Sequence, residues 1–446
     1  MHLTKNKKFQ YLFFLLLSII SIFNGGNSDI LIQINFILWS LLFIFCARNK
    51  NYLSHLKYFF IKNKFSIYIF LIFLIYLLFQ LIPIPLEILN FFSTEKFNYL
   101  SYLNYENYSS ISLSPSKTFF QFLNYLSILI VVLIIKMIFY KIKHVFRFFY
   151  FMTLLGAFHS CFAVLLYLNG NPDILFLKNN YYAYSSTGFF INRTVFSIFL
   201  LVCLICGLEY LKNIDLNIKK KQQDNFFNKI YVRIFIVFIT IGIITSFSKI
   251  GNFLLLITIF FYFFNNNFVK KNNNKLFSYV LIFIILFDIL IMGYFFGSKK
   301  LIERYFFLSN DFVLDNNSTN ITRLEIIQFS YLQIKNFFLF GYGAGSFETL
   351  FKLKFIESAP FYANHVHASI LEFFGEFGLL GFVLFIFSFY KILLNKNNYN
   401  FNFILFLILI IIILIFDFSL HVPINQIFFV NLFLINVLFK EISFTR

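Results

Sequence analysis

Twelve apolar runs, most of them 15 to 25 residues long, follow one another from end to end of this chain, at residues 9–23, 30–47, 65–82, 119–135, 148–168, 190–211, 230–247, 250–264, 276–296, 370–394, 401–420 and 426–439. Roughly 20 apolar residues in helical form span the hydrocarbon of a bilayer, where every backbone amide must be paired within its own segment. The composition agrees: 60% of the 446 residues are hydrophobic and 13% are charged, a balance that no soluble core can hide. The expected fold is therefore all-α, a polytopic membrane helix bundle of about twelve transmembrane helices. It divides into residues 1–296 with helices one to nine, a long polar loop at 297–369, and residues 370–446 with helices ten to twelve.

Charge sets the expected orientation, since loops rich in Lys and Arg stay in the cytoplasm. With Lys5, Lys7 and Lys8 inside, 25 of the 37 basic residues fall on inner segments and 12 on outer ones. Both termini are then cytoplasmic, and segments 83–118, 169–189 and 297–369 face outward. The net charge of +18 is spread over these short inner loops, which reads as a topology signal and excludes a nucleic-acid partner. The basic start of the first run is followed by no small-residue cleavage site, so that run is expected to stay as a helix. Cys46, Cys161, Cys203 and Cys206 all sit within spans or at their ends, and neither a disulfide nor a zinc site is expected of them. The Asn-rich stretch at 265–274 reads as a solvated linker.

Chemistry is sought in the outer loop at 297–369, which is too long for an idle connection. Residues 321–338 read as a surface helix carrying Arg323, with Ser318 or Thr319 near its start. Gly341, Gly343 and Gly345 follow at alternate positions, ahead of Ser346 and Phe347, a spacing that permits tight backbone turns. Then come Asn364-His365-Val366-His367 and, at the mouth of the tenth span, Glu372, Glu376, Gly378 and Gly381. Two histidines and two carboxylates at the entrance of a membrane helix are costly to hold, which raises the expectation of function.

In this order and at these gaps the residues resemble the O-antigen ligase and polymerase superfamily of bacterial envelope glycosyltransferases. That family shows an Arg-bearing surface helix, a G-x-G-x-G-S-F turn, an H-x-H-N-like motif and E-x-G-x-x-G. Upstream, Gln80-Leu-Ile-Pro83-Ile-Pro85 with Ser112-Leu-Ser114-Pro115, Gly188-Phe-Phe-Ile-Asn192-Arg193, and Ser246-Phe-Ser248-Lys249-Ile-Gly251 are similar to further family segments. The ligase-like region runs approximately from 190 to 390. Lys249 stands where the family usually has Arg, keeping the charge without the bidentate fork, and Ala368 stands where Asn commonly follows the second His.

The resemblance implies a GT-C-like bundle with a helical periplasmic loop in the bacterial inner membrane. It also implies transfer of a glycan from an undecaprenyl-diphosphate carrier to an acceptor hydroxyl, on lipid A core, a growing polysaccharide or a protein, within membrane lipid. The expected roles are Lys249, Arg323 and Arg193 on the diphosphate and His367 as the base for the acceptor. His365, Glu372 and Glu376 are in support. No metal or other cofactor is expected, because no Asp-x-Asp pair occurs in the outer loops. The competing readings are a transporter or flippase, suggested by Asp288 in the ninth span and by Asp417 and His421 at i, i+4 near the end of the eleventh, and a non-catalytic scaffold of envelope assembly.

Overall fold

A computed structural model describes residues 5–105, 107–173, 184–214, 222–269, 275–291, 321–355, 363–394 and 401–444. Helices α1 (Lys5–Ile22), α2 (Asp29–Ala47) and α3 (Lys50–Phe79) lead to two short helices, α4 (Leu86–Phe92) and α5 (Thr94–Tyr102). Then follow α6 (Pro115–Ile138), α7 (Ile142–Leu168), α8 (Arg193–Asn213), α9 (Gln222–Thr245), α10 (Lys249–Phe264) and α11 (Lys275–Ile291). The remainder is α12 (Arg323–Asn336), α13 (Phe347–Lys354), α14 (Ser369–Leu394), α15 (Phe401–Phe416) and α16 (Pro423–Phe444). Each of the twelve apolar runs falls on one of these helices. Among the described residues, eight helices are long and apolar enough to cross a membrane, and two shorter apolar ones cover Asn402–Phe416 and Pro423–Ile435. The chain is an all-α polytopic membrane bundle.

At its centre stands α8, whose spanning window is wholly buried and which packs against α7, α9, α10 and α16. A helix apolar on every side has no face for solvent, and here it has none for lipid either. Small residues let its neighbours approach: a Cβ on Gly156 would strike Cys203, and one on Gly242 would strike Ser160. Cys203 and Cys206 are buried as free thiols within this packing, and Cys46 is buried as a free thiol at the end of α2. The other strong pairings are α2 with α6 and α3 with α14.

Three elements depart from the expected spans. The third run is the second half of a longer helix, because the lysine-bearing segment before it is helical too, with an irregular residue at Asn63. The tenth is broken at Gly378, whose φ of 63° and ψ of 179° belong to no helix. The eleventh ends at Phe416 rather than Leu420, and α16 starts early, at Pro423, the first helical position that proline favours. Asp417 and His421 consequently lie on a turn between helices instead of inside a span. The side chain of Asp288 and residues 297–320, including Ser318 and Thr319, lie outside the described residues. Alternation of helix direction puts the starts of α2, α6, α8, α10, α14 and α16 at one end of the bundle, hereafter the site end.

Candidate functional site

The site end is organised around the break in α14. Gly378 interrupts the helical ladder and exposes backbone groups, and the segment 338–343 fills them. Leu379 and Leu380 donate to the carbonyls of Phe338 and Leu339 at 2.7 and 3.2 Å, while Tyr342 and Gly343 donate to those of Gly375 and Glu376 at 3.0 and 3.2 Å. The approach is so close that a Cβ on Gly378 would strike the Gly341 nitrogen, and one on Gly341 would strike the Glu376 carbonyl. Both motifs are glycine-bearing for the same reason: two backbones meet face to face.

Side chains from α3 satisfy what remains. Tyr76 donates to the carbonyls of Phe340 and Phe377 at 2.8 and 2.7 Å; Gln80 donates to Phe340 and Glu376 carbonyls and accepts from the Ala344 amide. From the 83–118 segment, Leu113 donates to the Tyr342 carbonyl and Thr118 to that of Ala344. Buried Lys96, which burial pushes down to about 8, donates to the carbonyls of Ser110 and Ser112. The Gln80 and Ser112 segments thus act as the clamp of the glycine turn. Glu376 belongs to that clamp as well, since its carboxyl accepts the amides of Gly345 and Phe347 at the start of α13.

The polar cluster lies beside this joint. In the segment 365–368 burial alternates: Val366 and Ala368 are buried, and the two histidines are partly exposed. Both imidazoles are on one side of this segment, where they meet the same ring, that of Phe418. His367 has a φ of 60°, a left-handed conformation unusual for a residue with a Cβ. The Phe418 ring stacks on His365 at 4.6 Å and meets His367 edge-on at 5.0 Å. Glu372 holds the arm: one carboxylate oxygen is 2.8 Å from His365 Nδ1, and the other accepts the Val366 amide at 2.9 Å. Burial works against protonation of His365, but Glu372, Asp417 and Glu348 outweigh it, so its pKa is raised. Burial lowers His421 to about 4, opposed by Glu372 and assisted by His365.

Asp417 ties the cluster to the remaining helix starts. Its carbonyl accepts from the Ser369 amide and hydroxyl at 3.1 and 2.6 Å, and its carboxylate accepts from the Ser419 amide and hydroxyl. Burial raises the Asp417 carboxyl; Ser419 and the positive charge of Arg323 counter it. Asn425, at the start of α16, then donates both to the Ser419 carbonyl and to the carbonyl of Val195 in the first turn of α8.

Arg193 and Lys249 each occupy the first position of a membrane helix. Asn192 caps α8 by accepting the Thr194 and Val195 amides, and Ser248 caps α10 by accepting that of Gly251. The two starts touch, because Gly251 lies against Ser197. A cation at a helix N-terminus adds to the positive end of the backbone dipole, an arrangement suited to anions. Arg323 also heads its helix, behind a capping box in which Thr322 accepts the Glu325 amide while Glu325 accepts that of Thr322. The cap is therefore Thr322, not Ser318 or Thr319; the T-x-x-E spacing was the available signal. Glu325 is committed to the cap.

Of the expected residues, the structure brings His365 and Glu372 into direct contact and joins His367 to them through Phe418. Arg323 acts on Asp417, and the α8 start with Arg193 is linked through Asn425. Glu372 positions His365 rather than His367, since Nδ1 of His365 is what its carboxylate reaches, and Glu376 turns to the glycine clamp. Sequence reasoning missed Phe418, Ser419 and Asn425 as site residues and set Asp417 and His421 aside as intramembrane groups. Their signal was present as a polar run, Asp417-Phe-Ser-Leu-His421, in an otherwise apolar C-terminal region.

Residues 234–386 match a family model described as O-Antigen ligase. That range holds Lys249, Arg323, the glycine turn, both histidines of the arm, Glu372 and Glu376, and leaves out Arg193, Asp417 and His421. No curated protein and no solved structure matched the chain.

Proposed function

We propose that this chain, a membrane protein whose residues 234–386 match an O-antigen ligase family model, is a member of that superfamily and moves a glycan from an undecaprenyl-diphosphate carrier to an acceptor hydroxyl at the periplasmic face of the inner membrane, with both termini cytoplasmic. One observation carries the reading: Asn425 bridges the start of α8 to the turn that holds Asp417 and the histidine arm. Cationic helix starts and imidazoles thereby share one frame.

The reaction needs positive charge where the diphosphate departs and a proton acceptor where the hydroxyl attacks. Lys249, Arg193 and Arg323 take the first role. Helix N-termini contribute fixed dipoles that cost no reorganisation as the sugar–phosphate C–O bond breaks. His367 takes the second, accepting the hydroxyl proton as the new glycosidic C–O bond forms. The acceptor is lipid A core, a growing polysaccharide or a protein.

His367→Ala tests the assignment. With the variant at normal membrane level, the surface polysaccharide ladder on a gel is expected to vanish, and a wild-type ladder overturns the base role. Lys249→Arg is expected to keep or improve transfer and Lys249→Ala to abolish it; full activity in the Ala variant removes Lys249 from the site.

A further inference from the structure

His365, Glu372 and His421 come from three places in the sequence, and their donor atoms all lie within 4.8 Å of one another. One carboxylate oxygen of Glu372 is common to both contacts: His365 Nδ1 is 2.8 Å from it and His421 Nδ1 is 3.6 Å from it. The second oxygen is already engaged by the Val366 amide, which fixes the carboxylate plane and aims the first oxygen at the two rings.

Hydrogen bonding leaves this cluster incomplete. The His421 side chain is 5% exposed, and its Nδ1, the ring nitrogen that faces Glu372, is too far from the carboxylate for a hydrogen bond. Glu372, 2% exposed, has only imidazoles for ion-pair partners among the described residues. A buried carboxylate ordinarily pairs with a cation or coordinates a metal. Two imidazole nitrogens and a carboxylate oxygen form a donor set that suits zinc, and donors on a tetrahedral zinc stand about 3.3 Å apart. The two imidazole–carboxylate distances, 2.8 and 3.6 Å, bracket that spacing, and the two imidazole nitrogens lie within 4.8 Å of each other.

We infer that His365, Glu372 and His421 form a binding site for one divalent transition ion of the zinc class. The ion pins the histidine arm to the first turn of α14 and to the turn between α15 and α16, so that His367 is presented in its left-handed conformation. Its role is structural, and glycan transfer as proposed above draws no step from it.

The experiment uses the full chain purified in detergent from zinc-supplemented culture, with metal counted by mass spectrometry. About one zinc per chain is expected. Glu372→Gln and His421→Ala should each lower the content at least tenfold in protein that remains monodisperse. Cobalt added to the apo protein should give the visible absorption of an ion bound by protein ligands, and His421→Cys should add a thiolate-to-cobalt charge-transfer band. That band is a gained signal which a misfolded variant does not produce. Metal-free protein that gives no cobalt absorption overturns the site, as does zinc retained in both substituted proteins or a His421→Cys spectrum without the new band. None of these readings depends on transfer activity, so failure of the metal site and failure of the transferase reading are separable.

Discussion

Two buried carboxylates mark opposite ends of the bundle. Glu209, near the end of α8 away from the site, is 1% exposed and accepts from the Tyr262 hydroxyl at 2.7 Å and the Asn213 amide at 2.9 Å. Lys212 stands 3.6 Å away, itself held by Asn402 at 3.0 Å. Every lone pair that matters has a donor, and the cation is three residues along the same helix. Glu372 also has a donor on each oxygen, His365 and the Val366 amide, but its ionisable partners are imidazoles from a loop seven residues earlier and a turn 49 residues later, and the Nε2 of His421 is buried without a hydrogen bond. A closed network secures a fold, whereas an incomplete buried network costs stability and is retained where something else uses it. The contrast separates a structural carboxylate from a functional one.

The comparison is most severely broken at Gly378. Replacing it by Ala forces a Cβ into the Gly341 backbone at a φ and ψ essentially reserved for glycine, and should cost roughly 4 kcal/mol or more. The site end should come apart while the Glu209 end persists. Limited proteolysis within 338–355 during heating in detergent would show an early partial transition at the site end; an unchanged cleavage profile refutes the joint.

Glu209→Ala is the next largest test. It strands Tyr262, Asn213 and Lys212 in the interior, with an expected cost of about 3 kcal/mol. Transfer per folded molecule should stay unchanged, whereas Glu372→Gln should lose transfer at a smaller cost in melting temperature. The opposite pattern would erase the distinction between the two carboxylates. Tyr76→Phe removes a hydroxyl that donates to two carbonyls at the break, worth about 2 kcal/mol, and equal melting of variant and parent would show those carbonyls to be satisfied otherwise. Smallest is Thr322→Ala, where the lost cap should cost about 1 kcal/mol. Proteolysis near α12 should quicken if Arg323 depends on that cap.

Much of the architecture was legible because lipid imposes one solution on a long apolar run, and among the described residues each of the twelve runs lies on a helix. The glycine, histidine and acidic motifs were legible as chemistry, yet their partners were not. Glu372 and Glu376 lie four apart on one helix, but the first serves the histidine arm and the second the glycine turn, a choice set by partners 6 to 49 residues away in sequence. The break at Gly378 is hidden within an apolar run, since its cause is backbone from 338–343 competing for the helix's own hydrogen bonds.

Sequence alone thus determined which long apolar segments are helical and which residue types gather in the glycine, histidine and acidic motifs, because hydrophobic period and length are local properties. Tertiary structure alone decided that Asp417 and His421 leave their span and join the site, because only packed neighbours such as Ser369, Glu372 and Asn425 make a buried carboxylate and imidazole worth keeping at a helix end.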